Sequence, residues 1–254
     1  MRLPISSLVL ASLLGFSLPA MAEGPAPASK IFSVDQNKEI ERIVADYIKK
    51  HPEVIAHAIE DLQKREEAAS AEAAKKVIAS ARAELTQSTD DIVLGNPKGD
   101  VTMVEFYDYR CGYCKKAEEP IAAVLKDDPK LRVVLKSWPV LGPDSVTAAR
   151  AVFAAKNQGA DKQLALHVAL MAAKNPIDET KVMALAKELG LDVDRMKTDM
   201  SDAKITAMID KTRALASKLN IGGTPTFVLG EQILPGVDTA ENFRKAIAMA
   251  RKGS

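Results

Sequence analysis

The only two cysteines of this 254-residue chain lie three positions apart in Cys111-Gly112-Tyr113-Cys114, directly after the apolar run Val101-Thr102-Met103-Val104-Glu105-Phe106-Tyr107. The run reads as a strand and residues 114 to 127 as a helix, so the pair sits where one gives way to the other. A dithiol placed there can open and close reversibly. Exchange needs a thiolate attacker, an accessible sulfur and a second thiol that releases the mixed disulfide. Cys111, where the helix begins, has backbone N–H groups and the positive end of the helix dipole to favour its thiolate. Cys114, one turn further in, is placed to attack Cys111 when that sulfur is bonded to a substrate.

Other uses of the pair fit less well. A structural staple across so short a loop would stabilise the fold by only about 2 kcal/mol. A structural zinc site takes four ligands, and the chain has no second Cys pair and only three histidines, all distant in sequence. We expect neither metal nor cofactor. Two thiols kept only for packing would not suit an oxidising compartment.

The N-terminus points to such a compartment. Arg2 precedes an apolar stretch from Leu8 to Leu18, and Ala20-Met21-Ala22 has the small-x-small form of a signal-peptidase site. Residues 1–22 are therefore expected to be a signal peptide cleaved after Ala22, with the mature chain exported to the periplasm. Cleavage removes Arg2 and no acid, so 35 Lys and Arg fall to 34, level with the 34 Asp and Glu. That balance, with 4% aromatic residues, argues against nucleic acid or anionic lipid as the main partner.

Residues 23–34, whose first eight positions contain two prolines and no bulky apolar group, read as a disordered lead-in. In 35–63, Ile40, Ile43, Val44, Tyr47 and Ile48 share a helical face. His51-Pro52 interrupts, and Val54, Ile55, Ala58, Ile59 and Leu62 resume the stripe. Two short amphipathic helices are expected, with Pro52 in the first turn of the second. Residues 64–90, rich in Ala, Glu and Lys, form a helical linker. The stripe before it must cover its apolar face, either on the main domain or on copies of itself; a homo-oligomer through 35–63 is the favoured reading.

The remainder reads as strand, helix, strand, helical block, strand, strand, helix. Strands are expected at 101–107, 131–136, 224–229 and 232–234, a helix at 114–127 kinked at Pro120, and a closing helix at 240–251. Within the block 144–219, Asp178 opens a helix that Gly190 ends. This is an α/β plan interrupted by an all-helical piece: 91–142 and 220–254 around an insert at 143–219.

Two further places connect with the dithiol. Glu105 shares a strand face with Val101, Met103 and Tyr107; in a central strand its carboxyl would be buried, raised in pKa, and able to relay protons during exchange. Thr224-Pro225 follows Gly222-Gly223, a turn in which a cis peptide is expected. Lys115 and Lys116 add positive charge and read as solvated helix residues. His167 reads as a satisfied core residue, and Met171, Met183, Met196, Met200 and Met208 as core filling.

Val-Glu-Phe-Tyr-Asp-Tyr-Arg-Cys-Gly-Tyr-Cys-Lys, followed over a hundred residues later by Gly-Gly-Thr-Pro-Thr-Phe-Val-Leu-Gly, resembles the thioredoxin-fold proteins of the DsbA family. The resemblance implies a thioredoxin fold with an inserted all-helical subdomain, preceded here by an N-terminal α-helical extension. It implies that Cys111 is the nucleophile, Cys114 the resolving thiol and partner in a Cys111–Cys114 disulfide, and Glu105 the buried acid. Pro225 then matches the cis-proline that faces the dithiol and helps hold the substrate, with Thr224, Gly112 and Tyr113 beside it. Ile-Val-Ala-Asp-Tyr-Ile-Lys-Lys-His-Pro-Glu-Val-Ile resembles the N-terminal region of the ScsC-like and Com1-like branch, some of whose members are trimers that reshuffle disulfides; a trimer is therefore favoured.

DsbA-type oxidases carry Pro-His between their cysteines and Val before the cis-proline. Gly112-Tyr113 and Thr224 are instead what DsbC-type isomerases have. A disulfide isomerase is thus expected, acting on unfolded or misdisulfided exported proteins and reset by a membrane redox partner. A DsbA-like oxidase is the alternative within this chemistry; a copper-binding thiol carrier or a holdase is the alternative outside it.

Overall fold

The computed structural model describes residues 32–253. The expected signal peptide and most of the lead-in lie outside the described residues. The chain divides into two units, one ending at Leu62 and one beginning at Gln63.

In the first unit, Ser33 starts helix α1 (Val34–Lys50) with a reciprocal cap: its hydroxyl accepts from Gln36 N at 3.2 Å, and Gln36 Oε1 accepts from Ser33 N at 2.8 Å. His51 closes the helix by donating its N–H to the Tyr47 carbonyl at 2.8 Å. Pro52, which has no N–H to leave unpaired, precedes helix α2 (Glu53–Ser80). No residue of α1 is buried. Ile40, Ile43, Val44, Tyr47, Val54, Ile55, Ile59 and Leu62 are all exposed, the last at 56%. The second helix is longer than the sequence suggested: α2 runs without a break from the stripe into the Ala/Glu/Lys segment, and the short helix α3 (Arg82–Thr86) follows it. Nothing in that segment breaks a helix, and its residues have high intrinsic helix propensity.

The second unit is built on one sheet. Among the described residues the strands are β1 (Ile92–Gly95), β2 (Val101–Tyr107), β3 (Leu131–Ser137), β4 (Thr226–Leu229) and β5 (Gln232–Pro235), in the order β1-β3-β2-β4-β5. β2 and β3 are parallel; the other pairings are antiparallel. β2 is central and covered on both faces, which is why it reads as a continuous apolar run rather than a strict alternation. Met103 and Tyr107 point into one core, with α4 (Gly112–Asp127) and α10 (Ala240–Lys252); Val104 and Phe106 point into the other. The helix α4 continues through Pro120 to Asp127.

Sequence reading left out β1. It is a four-residue edge strand opposite Arg132 to Leu135. It is preceded by Asp91, whose carboxylate meets Lys136 Nζ at 2.6 Å with both side chains about 95% buried. A strand held by a partner charge across the sheet has no local signal.

The helical block comprises α5 (Pro143–Ala155), α6 (Ala160–Ala172), α7 (Glu179–Glu188), α8 (Val193–Met200) and α9 (Ala203–Lys218). Asp178, Asp192 and Asp202 cap the last three, each accepting from a backbone N–H of the first turn. Gly190, with φ +70°, follows α7 in the left-handed conformation that ends helices. Ala148, Ala149, Ala151, Ala154 and Ala155 on α5 are buried, and their small side chains allow the neighbouring helices to approach closely. The block does not stand apart from the sheet. Ile205 and Ile209 of α9 belong to the first core, while Leu215 and Ala216 cover the opposite face together with Ile78, Leu85 and Trp138.

Candidate active site

The end of β2 and the start of α4 place the two sulfurs differently. Cys111 is the N-cap of α4, in extended conformation, and its Sγ accepts the Cys114 N–H at 3.3 Å. On its other side the Cys111 thiol donates to the Thr224 carbonyl at 3.3 Å, across 113 residues of chain. Thr224-Pro225 is a cis peptide, Pro225 is buried, and its carbonyl accepts from Gly236 N at 2.8 Å. Cys114 is fully buried, and burial pushes its thiol well up from the ordinary value. Both cysteines are free thiols in the structure, the reduced side of the expected couple.

Gly112 and Tyr113 form the exposed rim. A Cβ on Gly112 would meet nothing within 4 Å, so close packing does not dictate glycine there. Tyr113 is 65% exposed, with Lys116 Nζ 5.1 Å from its ring centroid.

Behind the dithiol, Glu105 is 1% exposed, and neither carboxylate oxygen has a hydrogen-bond partner among the described residues. Burial raises its pKa well above the carboxylate range, reinforced by Glu118 and Cys111. Glu118, half-buried one turn beyond Cys114, is itself raised by burial. Sequence reading missed Glu118, although its spacing of four from Cys114 places both on one helix face.

It also missed Asp108. This buried carboxylate accepts from Arg110 N at 2.8 Å, Val140 N at 2.8 Å, Leu141 N at 3.0 Å and Ser145 Oγ at 2.8 Å. It fastens the redox loop to the segment leading into α5. Only the Arg110 bond, an Asx-type turn two residues on, could have been anticipated locally.

Two readings need correction. Lys115 is not a solvated helix residue: its Nζ donates to the carbonyls of Leu170 at 2.7 Å, Ala173 at 2.8 Å and Met171 at 3.3 Å, at the end of α6. Burial lowers its pKa. His167 is in the core but only half satisfied. Its Nδ1 meets Tyr109 Oη at 3.0 Å, Tyr109 Oη meets Tyr107 Oη at 2.8 Å, and Nε2 has no partner among the described residues. Burial takes the imidazole down to about 4. The methionines fall where expected: Met171 and Met196 are buried, and Met183, Met200 and Met208 pack against the same core. Trp138 belongs to the core on the far face of the sheet, edge-on to Phe106.

Residues 102–248 match the family model described as a DSBA-like thioredoxin domain, and residues 36–69 match that of the copper resistance protein ScsC N-terminal domain. Among solved structures, a thioredoxin-like oxidoreductase from Silicibacter pomeroyi DSS-3 is 42% identical at a TM-score of 0.65, covering 68% of this chain and 99% of that one. Proteus mirabilis ScsC in a transitional conformation is 26% identical at a TM-score of 0.65, covering 88% and 100%. The probable disulfide bond formation protein D of Bacillus anthracis is 26% identical over 166 residues, 61% of this chain and 75% of its own length. The chain spans about a quarter of the length of other curated relatives, the Na(+)/H(+) antiporters NhaA. One from Salinispora arenicola is 30% identical over 166 residues, 65% of this chain and 25% of that protein. The sheet with its helical covers is thus the thioredoxin-like arrangement that the sequence led us to expect.

Proposed function

The chain belongs to the DSBA-like thioredoxin domain family, and from that premise we propose that it exchanges thiols and disulfides on protein substrates through Cys111 and Cys114. The observation that carries this reading is the asymmetry of the two sulfurs. Cys111, buried but with 7% of its surface exposed, caps a helix and lies against Thr224, whereas Cys114 has none exposed and sits beside an unpartnered carboxyl.

In the reductive direction, the Cys111 thiolate attacks one sulfur of a substrate disulfide. A mixed disulfide forms and one substrate thiolate leaves. Once ionised, Glu105 takes the Cys114 proton, and Cys114 attacks Cys111 Sγ. The second substrate thiolate departs and takes up a proton, leaving a Cys111–Cys114 disulfide and a reduced substrate. Run backwards, the same steps oxidise a dithiol. In isomerisation the first substrate thiolate, or another, resolves the mixed disulfide, and Cys114 is needed only to rescue stalled complexes. The Thr224-Pro225 segment and the rim at Gly112 and Tyr113 would hold the substrate backbone.

Isomerisation is the direction we favour. No histidine stands between the cysteines to stabilise the thiolate further and make the disulfide more oxidising, and Thr224 precedes the cis-proline. Oligomerisation through residues 35–63, as a trimer, would bury the exposed stripe of α1 and α2 and set several dithiols around one client, raising their effective concentration. With residues 1–22 as a signal peptide, the site of action is the periplasm, and a membrane partner resets the dithiol.

The test compares the full mature chain with a variant lacking residues 23–62 on scrambled-disulfide and fully reduced substrates, with mass from light scattering. We expect an oligomer that repairs the scrambled substrate and a monomeric variant that does not. A monomeric full chain active only on the reduced substrate would make it an oxidase. Full activity in Cys111→Ser would remove the exchange reading.

A second reading rests on the match of residues 36–69 to a copper resistance protein's N-terminal domain. The dithiol offers two soft ligands that suit copper(I). Copper(I) binding that persists undiminished when both cysteines are replaced by serine would eliminate it.

A further inference from the structure

The contacts of Lys115 are not those of a helix-surface lysine. Its ammonium is enclosed by the carbonyls of Leu170, Met171 and Ala173. These lie at the end of α6, where helix carbonyls have no N–H four residues on to pair with. Three acceptors around one nitrogen call for three N–H groups, which the ammonium has and the neutral amine lacks. The helix end, carrying partial negative charge, complements the cation it encloses.

The same helix and the turn after it grip the redox loop at two further points. His167 meets Tyr109, two residues before Cys111, at 3.0 Å, and Asn175 Nδ2 donates to the Arg110 carbonyl at 3.0 Å. The segment from Tyr109 to Lys115 is therefore clasped on both sides of the dithiol by one element of the helical block.

We propose that Lys115 is a positioning residue for thiol-disulfide exchange: α6 closes its C-terminal carbonyls around the ammonium and fixes it as a counter-charge for the dithiol. The proposal rests on the exchange reading above. Lys115 directly follows Cys114, and both sulfurs, together with Asp108 and Glu118, are charges it interacts with. Asp108 is saturated by four donors, whereas Glu105 is buried without a partner. Of the other groups behind the dithiol, Glu105 and Glu118 are carboxyls, which oppose a thiolate when ionised. The fixed cation thus favours the reduced, thiolate-bearing form and makes the disulfide the better oxidant.

The equilibrium with reduced and oxidised glutathione reads this directly. Lys115→Met and Lys115→Gln should each lower the ratio of reduced to oxidised protein at fixed glutathione by about 3- to 10-fold, tenfold being about 30 mV. Lys115→Arg, which keeps the charge and can still donate to the carbonyls, should stay within about twofold of wild type. Thermal stability is followed in parallel, because a mere helix cap would alter the melting temperature but not the redox equilibrium. Lys115→Met within about twofold of wild type, or Lys115→Gln if the methionine chain does not fold, would overturn the proposal. An equal fall in Lys115→Arg would also overturn it, since charge would not be the cause. A wild-type chain whose two cysteines do not equilibrate with glutathione would instead sink the exchange reading, and this one with it.

Discussion

Glu105 and His167 are buried titratable residues whose ionised forms burial opposes, and they act on stability in opposite pH windows. Glu105 has its pKa raised by burial, so the stability it contributes is complete below the ordinary carboxylate value of 4.5 and drains away as pH climbs toward its folded value. Glu105→Leu should therefore gain on wild type as pH rises above that point, by about 1–3 kcal/mol near neutrality in denaturant titrations. The same substitution should slow exchange on the order of 10²-fold, because Cys114 loses its proton acceptor. Greater stability without loss of rate would count against the relay. His167 has its pKa lowered from 6.5 to about 4 by burial; its stabilising effect is whole above the unfolded value and is lost as pH falls through the folded one. Between pH 6.5 and 4 wild type should lose about 3 kcal/mol relative to His167→Phe, readable as the pH dependence of the difference in unfolding free energy. The burial of Glu105 could be read from its place in a run apolar on both sides. The solitary bond of His167 could not, since its partner Tyr109 lies 58 residues away.

At the scale of elements, the redox loop is held from outside its own segment. Asp108 satisfies a backbone N–H of the redox loop, two in the segment before α5 and a hydroxyl in the first turn of α5. Asp108→Ala leaves them without this partner and should destabilise by on the order of 3 kcal/mol, with a larger fall in exchange rate than a remote substitution of equal cost. If the melting temperature drops while the rate per folded molecule is unchanged, Asp108 holds the fold and not the dithiol. Strands β2 and β3, the cap Asp178 and the closing helix α10 were legible because period, cap chemistry and turn residues are local. The edge strand β1 was not: four residues are too few for a period, and the Lys136–Asp91 pair beside it exists only once the sheet has formed. Likewise α9 reads as one more helix of the block, yet its last turns cover the sheet.

Across the whole molecule, the unit from Gln63 onward contains both hydrophobic cores and every residue placed at the site, while α1 offers no buried residue. Deleting residues 23–62 should therefore leave the melting temperature of the remainder within about 2 °C and its equilibrium with glutathione unchanged. A large loss of either would mean that the N-terminal unit is part of the catalytic fold. By itself, the sequence determined the location of the dithiol, the α/β plan with a helical interruption, the buried acid and the turn at Pro225, because each is written in adjacent or periodically spaced residues. Only the tertiary structure decided which sulfur is fully enclosed, that Thr224 lies against Cys111, that Asp108 collects three distant donors and that α6 encloses Lys115. Those depend on groups 32 to 113 residues apart being brought within about 3 Å, and no local spacing specifies which distant backbone groups will face an unpaired donor or acceptor.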